Sequence, residues 1–237
     1  MLLILAATTL ETKLLRQNMK DTHPLQCGSV NIFAGNLNGQ DILLCHGGIG
    51  QVNMAIQLTR ILSEHTPSAV LLCGCGGCYP DSGLQIGDLA LAKSETFGDL
   101  GVATDDKFIP LKQLNIPQNK QLEPVVSQSF SLDPDLLSWA QEILPDTACG
   151  SFVTVNCCSG TSNLSSELRQ RTGGICENME GAAAAQVCAE FKIPLLELRG
   201  ISNPTGTRDP LLWDIERGSE AAQLGALELL ENWPSSS

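Results

Sequence analysis

The sequence predicts an α/β fold in a single domain, and three observations carry that reading. Short apolar runs of strand length recur at residues 2–6 (LLILA), 69–73 (AVLLC) and 194–198 (PLLEL), as expected of buried strands. Helical stretches alternate with them, among them residues 181–189 and 213–232. The carboxyl ends of the strands break into glycine or polar clusters, which is where open α/β sheets bind ligands. A chain of 237 residues can bury a sizeable core, and no repeat, low-complexity tract or linker divides it. Residues 1–233 are therefore expected to form one domain and 234–237 a frayed tail.

Taken in order, residues 2–6 form the first strand, and Thr8-Thr9 can cap a helix whose apolar positions are Leu10, Leu14 and Leu15. Glu11 falls in its first turn, just past a strand's carboxyl end. There it either complements the helix dipole or serves a site, and position alone leaves the two even. Strands near residues 30–34 and 41–45 are joined through Asn38-Gly39, a hairpin signal. His46-Gly-Gly-Ile-Gly50-Gln-Val-Asn53 then leads into a helix reaching about residue 63. Glycines between a strand and a helix let backbone N–H groups approach an anion or a hydroxyl. The run is not a dinucleotide fingerprint, because the third glycine would fall at Asn53, and His46 reads as a loop residue.

The strand at residues 69–73 breaks into Gly74-Cys75-Gly76-Gly77, and two glycine turns that converge suggest a shared pocket. Gly87-Asp88 starts a strand through about residue 94, and residues 97–131 then lose periodicity. Long ordered excursions are usually functional, so this one is expected to help cover the site. Asp133-Pro134 starts a helix to about residue 144, residues 151–156 are β-rich, and Cys157-Cys158-Ser159-Gly160-Thr161 is their exit. Residues 213–232 form a closing amphipathic helix.

Composition excludes several classes. With 43% apolar and 17% charged residues the chain is globular rather than disordered. A net charge of −12, with 14 scattered Lys and Arg, argues against nucleic acid, whose phosphates require clustered cations. No run has the length of a membrane span, and the N-terminal MLLILAATTLE lacks the basic start of a signal peptide, so a cytoplasmic protein is expected. Ten cysteines are expected to be reduced thiols, several in apolar runs (Cys45, Cys73, Cys188). Cys73-Gly-Cys75-Gly-Gly-Cys78 has no second paired knuckle, so no metal is expected.

Residues 176–209 concentrate the chemistry. Glu180 opens a small-residue helix, and the strand at 194–198 ends in Arg199-Gly-Ile-Ser202-Asn203. With Glu11 and Asp209 these form a set: one carboxylate to activate water, another to grip vicinal hydroxyls, and an amide for a heterocycle. Cleavage of a glycosidic bond through an oxocarbenium-like transition state needs such groups. Taken singly, each has a bland reading as a cap, a surface ion pair or a turn residue.

At these residues the chain resembles the nucleoside phosphorylase/nucleosidase superfamily, and within it the futalosine hydrolase branch. The matching elements are Leu5-Ala-Ala-Thr-Thr-Leu-Glu11, Gly48-Ile-Gly50-Gln-Val52, Cys73-Gly-Cys-Gly-Gly77, Ile86-Gly-Asp88, Glu177-Asn-Met-Glu-Gly181 and Arg199-Gly-Ile-Ser-Asn203. Gly98-Asp99-Leu-Gly101, Asn203 and Gly206-Thr-Arg208-Asp209 through Trp213 are similar to the futalosine branch. The resemblance implies a three-layer α/β/α sandwich with a central mixed β-sheet, assembled as a homodimer. It implies hydrolysis of futalosine to hypoxanthine and dehypoxanthinyl futalosine, in menaquinone biosynthesis, with a small-molecule nucleoside as partner and no cofactor.

Residue by residue, the resemblance makes Glu11 the base for the attacking water with Arg199 close by, and Glu180 the carboxylate on the ribose hydroxyls beside Met179. Asn203 stands where adenine-cleaving nucleosidases carry the aspartate that protonates N7. Further substrate contacts are expected from Ile49, Gly50, Cys75, Gly76, Cys157, Cys158, Asn178, Ser202 and Asp209, the last aiding the leaving purine through water. An amide at 203 suits a 6-carbonyl and a protonated N7 and favours hypoxanthine over adenine. Cys75 replaces a commoner small residue, and Arg208 and Trp213 are open between a 5′-side contact and a structural role. Rival readings are a phosphorylase, which would need cations at the glycine turns, an adenine-releasing nucleosidase, and a silent nucleoside-binding protein lacking Glu11 or Glu180.

Overall fold

The computed structural model describes residues 1–27, 30–114 and 128–234. The chain opens with β1 (Leu2–Ala6), a single 3₁₀ turn (Leu10–Thr12) and α1 (Lys13–Asn18). An antiparallel meander follows: β2 (Lys20–Cys27), β3 (Val30–Leu37) and β4 (Gln40–His46). Next come α2 (Gln51–Glu64), β5 (Val70–Cys78), β6 (Leu89–Phe97), and a small hairpin of β7 (Gly101–Ala103) and β8 (Phe108–Pro110). β9 (Ser129–Ser131), α3 (Pro134–Ile143), β10 (Ala148–Thr154), α4 (Ser162–Thr172), β11 (Cys176–Asn178), α5 (Gly181–Phe191), β12 (Leu195–Pro204) and α6 (Ile215–Glu231) complete it.

The main sheet has the order β11-β10-β6-β12-β5-β1-β4-β3-β2, with β9 on β6. β1 lies parallel to β4 and β5, and β12 is parallel to β5 but antiparallel to β6, so the sheet is mixed. β11 pairs with both β10 and β5, which closes five strands into a ring at one end of the sheet.

Strand alternation divides the core between two faces. Leu3 and Leu5 of β1 pack with Met54, Leu58 and Ile61 of α2 and Ala184 and Cys188 of α5. Leu2, Ile4 and Ala6 pack on the opposite face with Leu15, Ala140 and Leu229, from α1, α3 and α6, and with Trp233 just past α6. Helices therefore cover both faces of a central mixed sheet, the three-layer α/β/α arrangement expected from the sequence.

Several elements depart from expectation. The segment Gly74-Cys75-Gly76-Gly77 is not a turn: β5 runs through it to Cys78, paired with β12 and β11. β12 likewise continues through Arg199 and Asn203 instead of ending at 198. Thr8 and Thr9 do not cap a helix: Thr9 makes no side-chain cap bond, and Thr8 donates to Glu11. The helix cap at Asp133 is as expected, its carboxylate accepting from Asp135 N and Leu136 N. Of the excursion at 97–131, residues 115–127 lie outside the described residues, as do 235–237 of the tail.

Candidate active site

A cavity of about 350 Å³ opens where β1, β5, β11 and β12 end. Glu11, Ile49, Cys75, Gly76, Cys158, Asn178, Met179, Glu180, Ser202 and Asn203 all line it, which brings together most of the residues expected from the sequence.

Glu11 reaches the cavity from the 3₁₀ turn after β1 and is only 4% exposed. Both carboxylate oxygens are held. Oε2 accepts from Thr8 N at 2.8 Å and Thr8 Oγ1 at 2.9 Å, and Oε1 accepts from Cys75 N at 3.0 Å with Cys75 Sγ at 3.6 Å. A side chain held on both oxygens keeps one rotamer, as a base aimed at a water must. Burial pushes the Cys75 thiol up to about 12, with the Glu11 carboxylate adding to the shift, so it acts there as a neutral donor.

Glu180 occupies the position before α5 without capping it. Its Oε1 accepts from Gly50 N at 2.9 Å, and its Oε2 faces Arg199 Nη1 at 3.4 Å. Gly50 thus joins the site by holding Glu180. Asn203 sits beside a register shift in β12; its Oδ1 accepts from Ser202 Oγ at 2.8 Å and its Nδ2 donates to Pro204 O at 3.0 Å.

Three expected residues stand elsewhere. Arg199 is 1% exposed and lies beneath the cavity, donating from Nε to Glu197 at 2.8 Å and from Nη1 to Cys75 O at 3.3 Å. Burial works against its charge, but Glu197, Glu180 and Glu11 around it hold its pKa above the ordinary value. It braces the carboxylates from below and is not among the residues that line the cavity. Asp209 is exposed and caps the 3₁₀ turn Pro210–Leu212 by accepting from Leu211 N, outside the cavity lining. Cys157 is exposed and lines a neighbouring hollow with Phe108 and Arg171 instead. The described part of the 97–131 excursion also borders that hollow and leaves the Glu11–Glu180 cavity uncovered. Arg208 and Trp213 both line the cavity, the guanidinium stacked 4.4 Å from the indole centroid.

Sequence reasoning missed Glu177. It is 6% exposed and lines the cavity. Its Oε1 accepts from Ser159 N at 2.9 Å, and its Oε2 from Tyr79 OH at 2.9 Å and from Ser159 Oγ. β11 is only three residues long, too short for a period that would have shown which way Glu177 points. All ten cysteines are free thiols.

The sequence matches the Phosphorylase superfamily over residues 2–231. The chain belongs to that family. A futalosine hydrolase of Thermus thermophilus is 32% identical over 195 residues, 82% of this chain and 83% of that protein. A 5′-methylthioadenosine/S-adenosylhomocysteine nucleosidase of Shewanella loihica is 28% identical over 218 residues, 89% of each chain. One from Staphylococcus epidermidis is 25% identical over 205 residues, 84% of this chain and 85% of that protein. In structure, the Neisseria meningitidis nucleosidase of that kind, solved with methylthio-immucillin-A, superposes with a TM-score of 0.84 over 98% of both chains at 20% identity. That likeness shares the fold of the superfamily, including the mixed sheet and its flanking helices. No helix among the described residues is long and apolar enough to cross a membrane.

Proposed function

We propose that the protein hydrolyses the N-glycosidic bond of a 6-oxopurine ribonucleoside of the futalosine type. Glycosidic hydrolysis of a nucleoside is supported by the family and by two carboxylates, Glu11 and Glu180, that meet across one cavity. Glu11, oriented by Thr8 and Cys75, takes the proton of the attacking water. Glu180 accepts from the ribose 2′ and 3′ hydroxyls and places negative charge near the developing oxocarbenium ion, with Met179 beneath the sugar.

The observation that carries the choice of base is the pairing around Gly77. Glu177 on one side and Asn203 on the other are both in register with it, so a carboxylate and an amide flank a position with no side chain. Glu177 Oε1 has a second acceptor direction, and hypoxanthine offers N1–H to it, while the Asn203 amide serves O6 and N7. Adenine instead sets a bare N1 lone pair against the carboxylate, a mismatch of about 1–3 kcal/mol.

A second reading, a methylthioadenosine/adenosylhomocysteine nucleosidase releasing adenine, is favoured by the relatives and solved structures that bear that name. Phosphorolysis is the weaker alternative, since among the described residues Arg208 is the single cationic residue lining the cavity and it is stacked on Trp213. A homodimer is part of the proposal, supported by an exposed apolar patch of Val52 and Ile56 on α2 and Ile49 just before it, beside the cavity.

Incubation with futalosine, inosine and methylthioadenosine in phosphate-free buffer tests the reading by the purine released. Hypoxanthine from futalosine supports it; adenine from methylthioadenosine alone replaces it with the second reading. Asn203→Asp is expected to shift the hypoxanthine-to-adenine ratio about tenfold or more toward adenine, and an unchanged ratio removes Asn203 from base selection.

A further inference from the structure

Below the cavity, Glu95 on β6 and Glu197 on β12 are both fully buried, on strands that neighbour each other in the sheet. Both carboxyl groups lean on Gly181, the first residue of α5. A Cβ there would strike Glu95 and lie 2.7 Å from Glu197 Oε1. Glu95 accepts from Asn178 Nδ2 at 2.5 Å and from Thr154 Oγ1 at 2.8 Å, while Glu197 accepts from Arg199 Nε at 2.8 Å.

Two arms lead from this pair to Glu180. Asn178 turns its Oδ1 to Glu180 N at 2.9 Å and Gly181 N at 2.7 Å, fixing the backbone. Arg199 extends Nη1 toward Glu180 Oε2 at 3.4 Å, fixing the carboxylate. We propose that Glu95 and Glu197 are a proton-sharing acid pair that positions Glu180 through Asn178 and Arg199. The proposal rests on Glu180 as the carboxylate that binds the ribose.

Two carboxyl groups packed against one glycine and shielded from water do not both ionise. Burial raises Glu95 well above the ordinary carboxylate range and Glu197 adds to it; Glu197 is also raised by burial, but Arg199 opposes the shift. The Arg199 guanidinium, 2.8 Å from Glu197 and on that side of the pair, places the charge on Glu197 and leaves the proton to Glu95. The other groups facing the pair are Arg199, Glu180 and the buried thiols Cys176 and Cys188, both raised by burial and so neutral. With one anion on its Nε edge, Arg199 is partly satisfied and leaves Glu180 free to accept from a diol. With neither acid ionised, Arg199 would turn its whole charge to Glu180 and compete with substrate.

The pair predicts opposite outcomes for two isosteric changes in the full-length protein. Glu95→Gln keeps a hydrogen for Glu197, so kcat/KM at neutral pH is expected within about threefold of wild type. Glu197→Gln removes the anion under Arg199, and KM is expected to rise about tenfold or more. Equal losses in both variants, or a loss beyond about thirtyfold in Glu95→Gln, would overturn the proposal.

Thermal midpoints against pH give a readout that needs no catalysis. The native state holds a proton that the unfolded chain releases above the ordinary carboxylate pKa. Wild-type stability therefore falls as pH rises above the ordinary carboxylate range, relative to Glu95→Gln, which has no proton to lose. Parallel pH curves sink the shared proton even if the substrate proves to be another nucleoside, whereas a widening gap with no nucleoside hydrolysis would fault the functional reading alone.

Discussion

Two glycine-rich segments border the cavity, and they use glycine for opposite reasons. At Gly48 and Gly50 the backbone is left-handed, with φ of 83° and 94°, and the turn presents Gly50 N to Glu180. Nothing lies within 4 Å of a Cβ added at Gly50, so conformation alone requires glycine there. At Gly74 the chain is a strand, and a Cβ would lie 2.6 Å from Glu11 Oε1 and 2.8 Å from Arg199 Nη1. Space is what requires glycine in β5. The first segment bends the chain toward a carboxylate, and the second lets an acid and a guanidinium press onto a straight strand.

If the glycines of β5 exist to admit a base, the base itself should carry the largest effect. Glu11→Gln is expected to lower kcat by about two to four decades with nucleoside binding largely kept, measured by turnover and by calorimetric titration with a product purine. Near-normal turnover would leave the close packing on Gly74 without a catalytic purpose. Gly74→Ala should come next, lowering kcat/KM about a hundredfold by displacing Glu11 and Arg199 together. Gly50→Ala should be mildest, costing about 1 kcal/mol from the left-handed backbone and a few-fold in KM. A larger loss from Gly50→Ala than from Gly74→Ala would reverse the contrast between bending and clearance.

Much of this organisation is legible in the sequence because buried strands and capped helices have local causes. The run at 2–6, the Asp133 cap, the small-residue helix after Glu180 and the amphipathic stretch of α6 all occur near where composition places them. The polar strand β2 was not legible, since its exposed run KDTHPLQ offers no alternation. α4 was also missed, its buried face amounting to little more than Ser165 and Leu168.

The glycine tract of β5 reads as a turn from composition because the side chains that need its space come from residues 11 and 199, distant in the chain. For the same reason Arg199 was expected beside a water, whereas its partner Glu197, two residues earlier on the same strand, draws it under the floor. Asp209 followed the bland alternative and became a cap. Alternation and capping are visible over a few residues; which charges share a burial site depends on pairings that only the folded sheet decides.

The place of β12 in that sheet has a consequence for how the protein is made. β12, which follows all its neighbours in the sequence, inserts between β5 and β6, in the middle of the sheet. A nascent chain that has not yet delivered residue 195 therefore holds two open hydrogen-bonding edges facing one another, which invite pairing with other chains. Ribosome-bound intermediates should need shielding until Leu195–Pro204 emerge, and truncations before Leu195 should aggregate rather than persist as smaller folded forms.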